Sequence, residues 1–322
     1  MLPHLIVTLC LMGSSTAAAN RRREGLSPEI FFQSVSLDFP KLKFADSECN
    51  STKGRKGTCI GYPDCEGDNA VREGVCSDGF GTCCVYLVGT DLRKETRPTV
   101  NEWGSFYSNA DFPLPTLEAE SSVRIHIERD VCQIRLDFES LDLPERTVFR
   151  TIVNGDLVPP ILSGNNTGQH LMINVGDGSS QGAWVSLGVS GPMGLKTWNI
   201  HITNVPCHSS TTAPVGCAQY FLAPSGRLRS LSVQSVGITS YAICLRPRNL
   251  ERNLLSLRSF ASGAACGSSM VVPAGISLDG RELPAMICPK DDIKLTYKVF
   301  GPLVLYMKTA PGQRGVEVQY DL

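Results

Sequence analysis

Val131-Cys132-Gln133-Ile134-Arg135-Leu136-Asp137-Phe138 is the stretch that decides the fold of this chain. Successive side chains of a strand point to opposite faces, so Cys132, Ile134, Leu136 and Phe138 turn one way and Gln133, Arg135 and Asp137 the other. The same period of two recurs outward from it. Val123, Ile125 and Ile127 alternate with Arg124, His126 and Glu128, and Trp198, Ile200 and Ile202 with Asn199, His201 and Thr203. Tyr241, Ile243 and Leu245 repeat it, as do Ile293, Leu295, Tyr297 and Val299, and then Val316, Val318 and Tyr320. Turn clusters separate the runs: Asn154-Gly155-Asp156, Ser163-Gly164-Asn165-Asn166, Gly176-Asp177-Gly178 and Ser190-Gly191-Pro192. Almost no helical periodicity is present. Short strands between frequent turns predict an all-β chain of antiparallel sandwiches.

The cysteines divide the chain. Six of the thirteen fall between Cys49 and Cys84, at Cys49, Cys59, Cys65, Cys76, Cys83 and Cys84, among many glycines. Such density marks a small module that relies on crosslinks because it cannot bury enough apolar surface. Adjacent Cys83 and Cys84 must take different partners, since a bridge between neighbours is strained; the remaining pairing stays open. Six more stand singly at Cys132, Cys207, Cys217, Cys244, Cys266 and Cys288, and Cys10 lies in the first segment.

That segment has an apolar run, Leu5 to Met12, followed by Ala17-Ala18-Ala19, which predicts a signal peptide (1–19) cleaved before Asn20. The run is too short to span a bilayer, which needs roughly 20 residues. The closing residues, Val316 to Leu322, are polar and carry no lipid-anchor signal. A secreted chain in an oxidising compartment is the expectation, with no membrane span. A net charge of -1 and a pI near 6.5 give no reason to expect nucleic acid or an anionic membrane as partner. Arg21-Arg22-Arg23 reads as a solvated tail. Two sequons, Asn50-Ser51-Thr52 and Asn165-Asn166-Thr167, make Asn50 and Asn165 the expected glycosylation sites.

An extended leader (20–48) then precedes the cysteine module (49–84). The strand-rich remainder breaks at Cys207-His208-Ser209-Ser210-Thr211-Thr212-Ala213-Pro214, small, polar and proline-closed. Two domains are expected, 85–206 and 217–322, joined by a linker at 207–216.

The second block resembles a CUB domain, a jelly-roll-type sandwich of extracellular proteins. Its cysteines, Cys217 and Cys244 and then Cys266 and Cys288, stand at spacings similar to the family's two successive disulfides. Its close, Gly315-Val316-Glu317-Val318-Gln319-Tyr320 after Tyr306, is similar to the family's last strands. The first block resembles CUB domains of arthropod secreted proteins through Val131 to Phe138, Asn166-Thr167-Gly168-Gln169-His170 and Trp198-Asn199-Ile200. The junction Ala213-Pro214-Val215-Gly216-Cys217-Ala218-Gln219-Tyr220-Phe221 fits the same pattern. The stretch from Gly57-Thr58-Cys59 to Gly79-Phe80-Gly81-Thr82-Cys83-Cys84 is similar to their cysteine-rich lead-in, and more loosely to clip modules. The likeness covers 49–322. It implies bridges Cys217–Cys244 and Cys266–Cys288. The first block has Leu162-Ser163 where a family cysteine would precede Gly164, which leaves Cys132 and Cys207 to bridge each other.

Many CUB domains hold calcium on acidic residues. Here Pro144 and Gly263 stand where the resemblance would put a glutamate, and Ser269 where it would put an aspartate. Asp137, Glu139 and Asp142 form a carboxylate cluster, but Asp137 and Glu139 read as the wet face of a strand, so no metal or other cofactor is expected. His126 and His201 read as outward-facing, His208 as a linker residue, and Gln169 or His170 as hydrogen-bonding the backbone of their turn. No nucleophile elbow, HExxH helix, phosphate loop or Ser/His/Asp motif is present. The expected function is non-enzymatic: extracellular binding or scaffolding of proteins or glycans. The alternative is regulation or inhibition of an extracellular serine protease through the cysteine module, with Arg55, Lys56 or Arg72 as specificity residue in an exposed loop.

Overall fold

Strands form wherever the sequence alternates, because each run has one apolar face that only a facing sheet can cover. The computed structural model describes residues 47–322 except 62–64, 66–68, 90–98, 101–103, 145, 180–181, 234–238, 249–252, 260–267, 273–275, 278–285, 289–293, 300–302 and 310–315. The predicted signal peptide, Cys10, most of the leader, and Cys266 lie outside the described residues. Among the described residues there is no α-helix, only a 3-10 turn at Ser77–Gly79, so no helix is long and apolar enough to cross a membrane.

The cysteine module is one four-stranded sheet of β1 (Ser47–Asn50), β2 (Lys56–Gly61), β3 (Ala70–Cys76) and β4 (Gly81–Tyr86), ordered β1-β2-β4-β3. Disulfides Cys49–Cys83, Cys59–Cys76 and Cys65–Cys84 brace it.

Residues 105–206 supply β5 (Ser105–Ser108), β6 (Glu120–His126), β7 (Val131–Leu143), β8 (Val148–Val153), β9 (Asp156–Leu162), β10 (Gly164–Asn165), β11 (His170–Asn174), β12 (Trp184–Ser190) and β13 (Thr197–Pro206). One sheet runs β10-β7-β13-β5, with β11 also on β7, and the other runs β6-β12-β8-β9. Ile134, Leu136, Phe138 and Leu141 of β7 and Trp198, Ile200 and Ile202 of β13 face Ile125, Phe149, Val185 and Leu187 in a fully buried core. The opening stretch is therefore the inner face of the central strand. Cys132 and Cys207 form a disulfide beside it.

Residues 217–321 supply β14 (Cys217–Phe221), β15 (Ser225–Arg229), β16 (Thr239–Leu245), β17 (Asn253–Ser259), β18 (Ser269–Val271), β19 (Ile276–Ser277), β20 (Met286–Ile287), β21 (Lys294–Val299), β22 (Leu303–Thr309) and β23 (Glu317–Asp321). The two sheets run β14-β16-β22-β18-β20 and β15-β23-β17-β21-β19. Leu228, Ile243, Leu255, Leu257, Met307, Val318 and Tyr320 fill the space between them. The all-β sandwich class holds; among the described strand pairs, β14 and β16 depart from antiparallel pairing and run parallel, and the Cys217–Cys244 disulfide crosslinks these two neighbouring strands. Cys288 is disulfide-bonded.

Most buried apolar residues of both sandwiches belong to one continuous cluster. Met172, Val205, Tyr220 and Cys244 sit in a second, smaller one, and the module with both sandwiches lies in one compact unit, Lys41–Leu322.

Candidate functional site

Two buried polar seams position the surfaces this chain can offer. The first joins the cysteine module to the first sandwich. Ser51 and Arg55 close a turn through Ser51 N–H to Arg55 O (2.7 Å) and Arg55 N–H to Ser51 Oγ (3.0 Å), and this aims the Arg55 side chain inward. Arg55 and Glu73 are each 3 % exposed and pair at 2.5 Å. Arg55 Nε–H donates to Asn199 Oδ1 (3.2 Å), Ser108 Oγ–H donates to the same oxygen (2.6 Å), and Asn199 Nδ2–H donates to Glu139 Oε2 (2.8 Å). The guanidinium also lies 4.8 Å from the Phe112 ring centroid. Burial pulls the Arg55 guanidinium down, against Glu73, and pushes the Glu139 carboxyl up.

These contacts correct two sequence-based readings. Arg55 is not in an exposed loop but is clamped between module and sandwich. Glu139 is not on a wet face, because the module covers it. Of the other two basic residues singled out, Lys56 is exposed and paired with Glu48 at 2.6 Å, and Arg72 is exposed on β3, at the sheet's edge.

The second seam joins the two sandwiches through the turn after β9. Gly164 (φ 66°) lets the chains approach, since a Cβ there would lie 2.6 Å from Ser232 Oγ. Leu162 bridges Val233 in antiparallel fashion, and Ser163 N–H donates to Ser232 O (3.1 Å). Asn166, with no exposed surface, completes the junction. Its Nδ2 donates to Ser163 O and Ser232 O (both 3.0 Å), and its Oδ1 accepts from Ser232 N–H (2.7 Å) and Gln169 Nε2 (3.3 Å). Gln169 Nε2 also donates to Ser230 O (3.3 Å), and Gln219 Nε2 donates to Gln169 Oε1 (3.5 Å).

His170 is buried opposite Asp137, and its Nε2 accepts from Tyr220 N–H (2.9 Å). That bond makes the ring neutral with its proton on Nδ1. Burial first, and the Arg135 charge second, bring its pKa down to about 4. His170 thus bonds the backbone of the other sandwich, not of its own turn. Gln133 fixes the connecting segment, donating to Ala213 O and accepting from Ala213 N–H, both at 2.8 Å. The segment read as a linker is anchored there, while His208 is exposed.

Of the remaining site residues, Arg135 pairs with Asp137 at 2.7 Å and Asp142 is exposed, so the carboxylate cluster is dispersed among cationic and amide partners. No group of three or more metal-ligating side chains occurs among the described residues. His126 is half-buried, and His201 stacks on Phe106 with ring centroids 4.6 Å apart. Asn50 and Asn165 are exposed, and Asn165 Oδ1 accepts from Thr167 N–H (3.0 Å).

The second seam leaves a cavity of about 220 Å³ at its edge, walled by Thr167, His170, Phe221, Arg227, Arg229 and Glu317. Arg229 Nη2 donates across the seam to Thr167 O (2.7 Å), and Arg227 meets Glu317 at 3.4 Å. Phe221 packs edge-on against His170 (4.8 Å) and Tyr320 (6.1 Å). Sequence reasoning singled out Gln169 and His170 but missed Asn166 as a junction residue and Arg227 and Arg229 as cavity walls.

No protein-family model matches the chain, and no curated protein does. Among solved structures, the CUB1-EGF-CUB2 domains of rat MASP-1 are similar at 12 % identity, covering 70 % of this chain and 99 % of that one, with a TM-score of 0.26. The CUB1-EGF-CUB2 domain of human MASP-1/3 gives 12 % identity, 69 % and 99 % coverage and the same TM-score, 0.26. Tripeptidyl peptidase 2 gives 8 % identity, 87 % and 26 % coverage and 0.25. TM-scores this low carry no argument about fold or function.

Proposed function

We propose that this chain is a secreted, non-enzymatic binding or scaffold protein of CUB-like architecture that recognises an extracellular protein or glycan. The observation that carries this reading is the pair of polar seams. Buried, hydrogen-bonded side chains lock a disulfide module and two sandwiches together, so that loops and the seam cavity face solvent in a fixed arrangement. A surface ordered beforehand loses little entropy on binding. Five disulfides with both cysteines described support an oxidising, extracellular setting. Exposed Asn50 and Asn165 are available to glycosylation there.

The test is surface plasmon resonance of the intact chain against a panel of purified extracellular-matrix proteins and a glycan array. Saturable binding to at least one member, competed by excess free chain, is the expected result. Absence of saturable binding across both panels overturns the reading. Regulation of an extracellular serine protease is the second reading, and it now rests on Lys56 and Arg72 without Arg55. Slowing of a trypsin-like protease by the intact chain, lost in Arg72→Ala, would establish it.

A further inference from the structure

We propose that the cavity at the seam between the sandwiches binds a single acidic sugar residue, a hexuronate, with Arg229 holding its carboxylate. This inference rests on the binding-protein reading above and names the ligand class of one of its sites. Size sets the first limit. At about 220 Å³ the cavity is smaller than the roughly 300–1,000 Å³ of sites for drug-sized ligands, and suits one sugar ring.

Charge sets the second. Arg227 and Arg229 alternate along β15 with buried Leu228 between them, so both guanidinia stand on the same face beside the cavity. Glu317 pairs with Arg227 at 3.4 Å, and this leaves Arg229 as the net positive charge. Its bond to Thr167 O (2.7 Å) uses one N–H and orients the planar fork, whose other donors match a carboxylate.

Wall chemistry sets the third. Phe221 is half-buried and lines the cavity, held edge-on by His170 and Tyr320, which gives an apolar surface for the C–H face of a sugar. Gln219, 1 % exposed, lines it too, and its Oε1 has no hydrogen-bond partner. That oxygen has almost no accessible surface, so Gln219 shapes the cavity wall and does not meet the ligand. A peptide's terminal carboxylate fits less well, because its capture uses backbone N–H nests, whereas the donors here are side chains.

The experiment is titration calorimetry of the intact chain with methyl glucuronoside, methyl glucoside and acetyl-alanyl-alanine. The glucuronoside should bind saturably, and the glucoside about tenfold or more weaker, the loss expected when a charge-assisted hydrogen bond is absent. Arg229→Ala should weaken the glucuronoside by a similar factor. Glu317→Gln, which removes the competing carboxylate, should tighten it about two- to threefold, a gain that misfolding cannot produce. Equal binding of glucuronoside and glucoside, unchanged affinity in both variants, or tighter binding of the peptide would overturn the proposal. If it fails while the panels still show saturable binding, the broader reading stands and only this site is lost.

Discussion

The two seams solve one problem with opposite chemistry. Between module and first sandwich the buried donor is an ion: Arg55, held within the module by Glu73 (each 3 % exposed), donates across the seam to Asn199, which in turn donates to Glu139. Between the sandwiches the buried partners are neutral: the amides of Asn166, Gln169 and Gln219, an uncharged His170, and strand backbone. A buried ion pair is strongly destabilising to break yet close to neutral to replace by apolar groups, because its desolvation cost rivals its Coulombic gain. An amide that stands in for a strand has no such substitute, since its partners are backbone groups that stay behind unpaired. The ion pair that holds Arg55 at the module's seam is therefore replaceable, and the amides between the sandwiches are not.

Substitution at the ionic seam should have the largest effect. Arg55→Ala leaves Glu73 buried without its near partner and should cost about 3–5 kcal/mol, lowering the calorimetric midpoint by roughly 10 °C. Arg55→Met combined with Glu73→Leu should recover most of that loss. A double variant as unstable as the single one would break the comparison.

At the neutral seam, Asn166→Ala removes hydrogen bonds to Ser163, Ser232 and Gln169 and should cost about 3 kcal/mol. No apolar partner substitution at Ser232 should restore it, because the group orphaned is the Ser232 backbone N–H.

Acid separates the seams further. The folded pKa of His170 is lowered to about 4 from an unfolded value near 6.5, so between these values the unfolded chain binds more protons. Its contribution is complete above pH 6.5 and is lost as pH falls toward 4, with about 2 kcal/mol gone at pH 5. Arg135 and Asp137 are the charges facing it. Glu139 acts in the opposite direction, because burial raises its pKa and protonation relieves the ionic seam. The denaturation midpoint should fall between pH 7 and 5 in the native chain and much less in His170→Gln, which keeps an acceptor. A pH-independent midpoint would contradict the neutral-histidine geometry. The smallest expected effect is that of a chelator, which should leave the melting temperature unchanged; a drop of several degrees would place a structural metal in the fold.

Much of this architecture is legible in the sequence. Period-two alternation locates β6, β7, β13, β16, β21 and β23, since side-chain direction within a strand is a local property. Strand direction is not local, and the parallel pairing of β14 and β16 leaves no trace in the pattern. The seams are illegible for the same reason. Asn166 reads as part of a polar turn and sequon, and its partner Ser232 is 66 residues away. Arg55 reads as a basic residue in a glycine-rich loop, and Asn199, which receives its Nε–H, is 144 residues distant. Gly164 looks like turn punctuation, whereas the approach of Ser232 forbids a side chain there. A buried asparagine or arginine becomes recognisable only once the fold supplies its partners.

The central claim, that a neutral polar seam fuses the two sandwiches into one body, is tested most directly by amide hydrogen exchange at Ser232 and Tyr220. Their N–H groups donate to Asn166 Oδ1 and His170 Nε2. The account predicts protection at both comparable to that of Ile243 in β16. Exchange as fast as that of exposed Ser210 would show the sandwiches opening independently, and would contradict it.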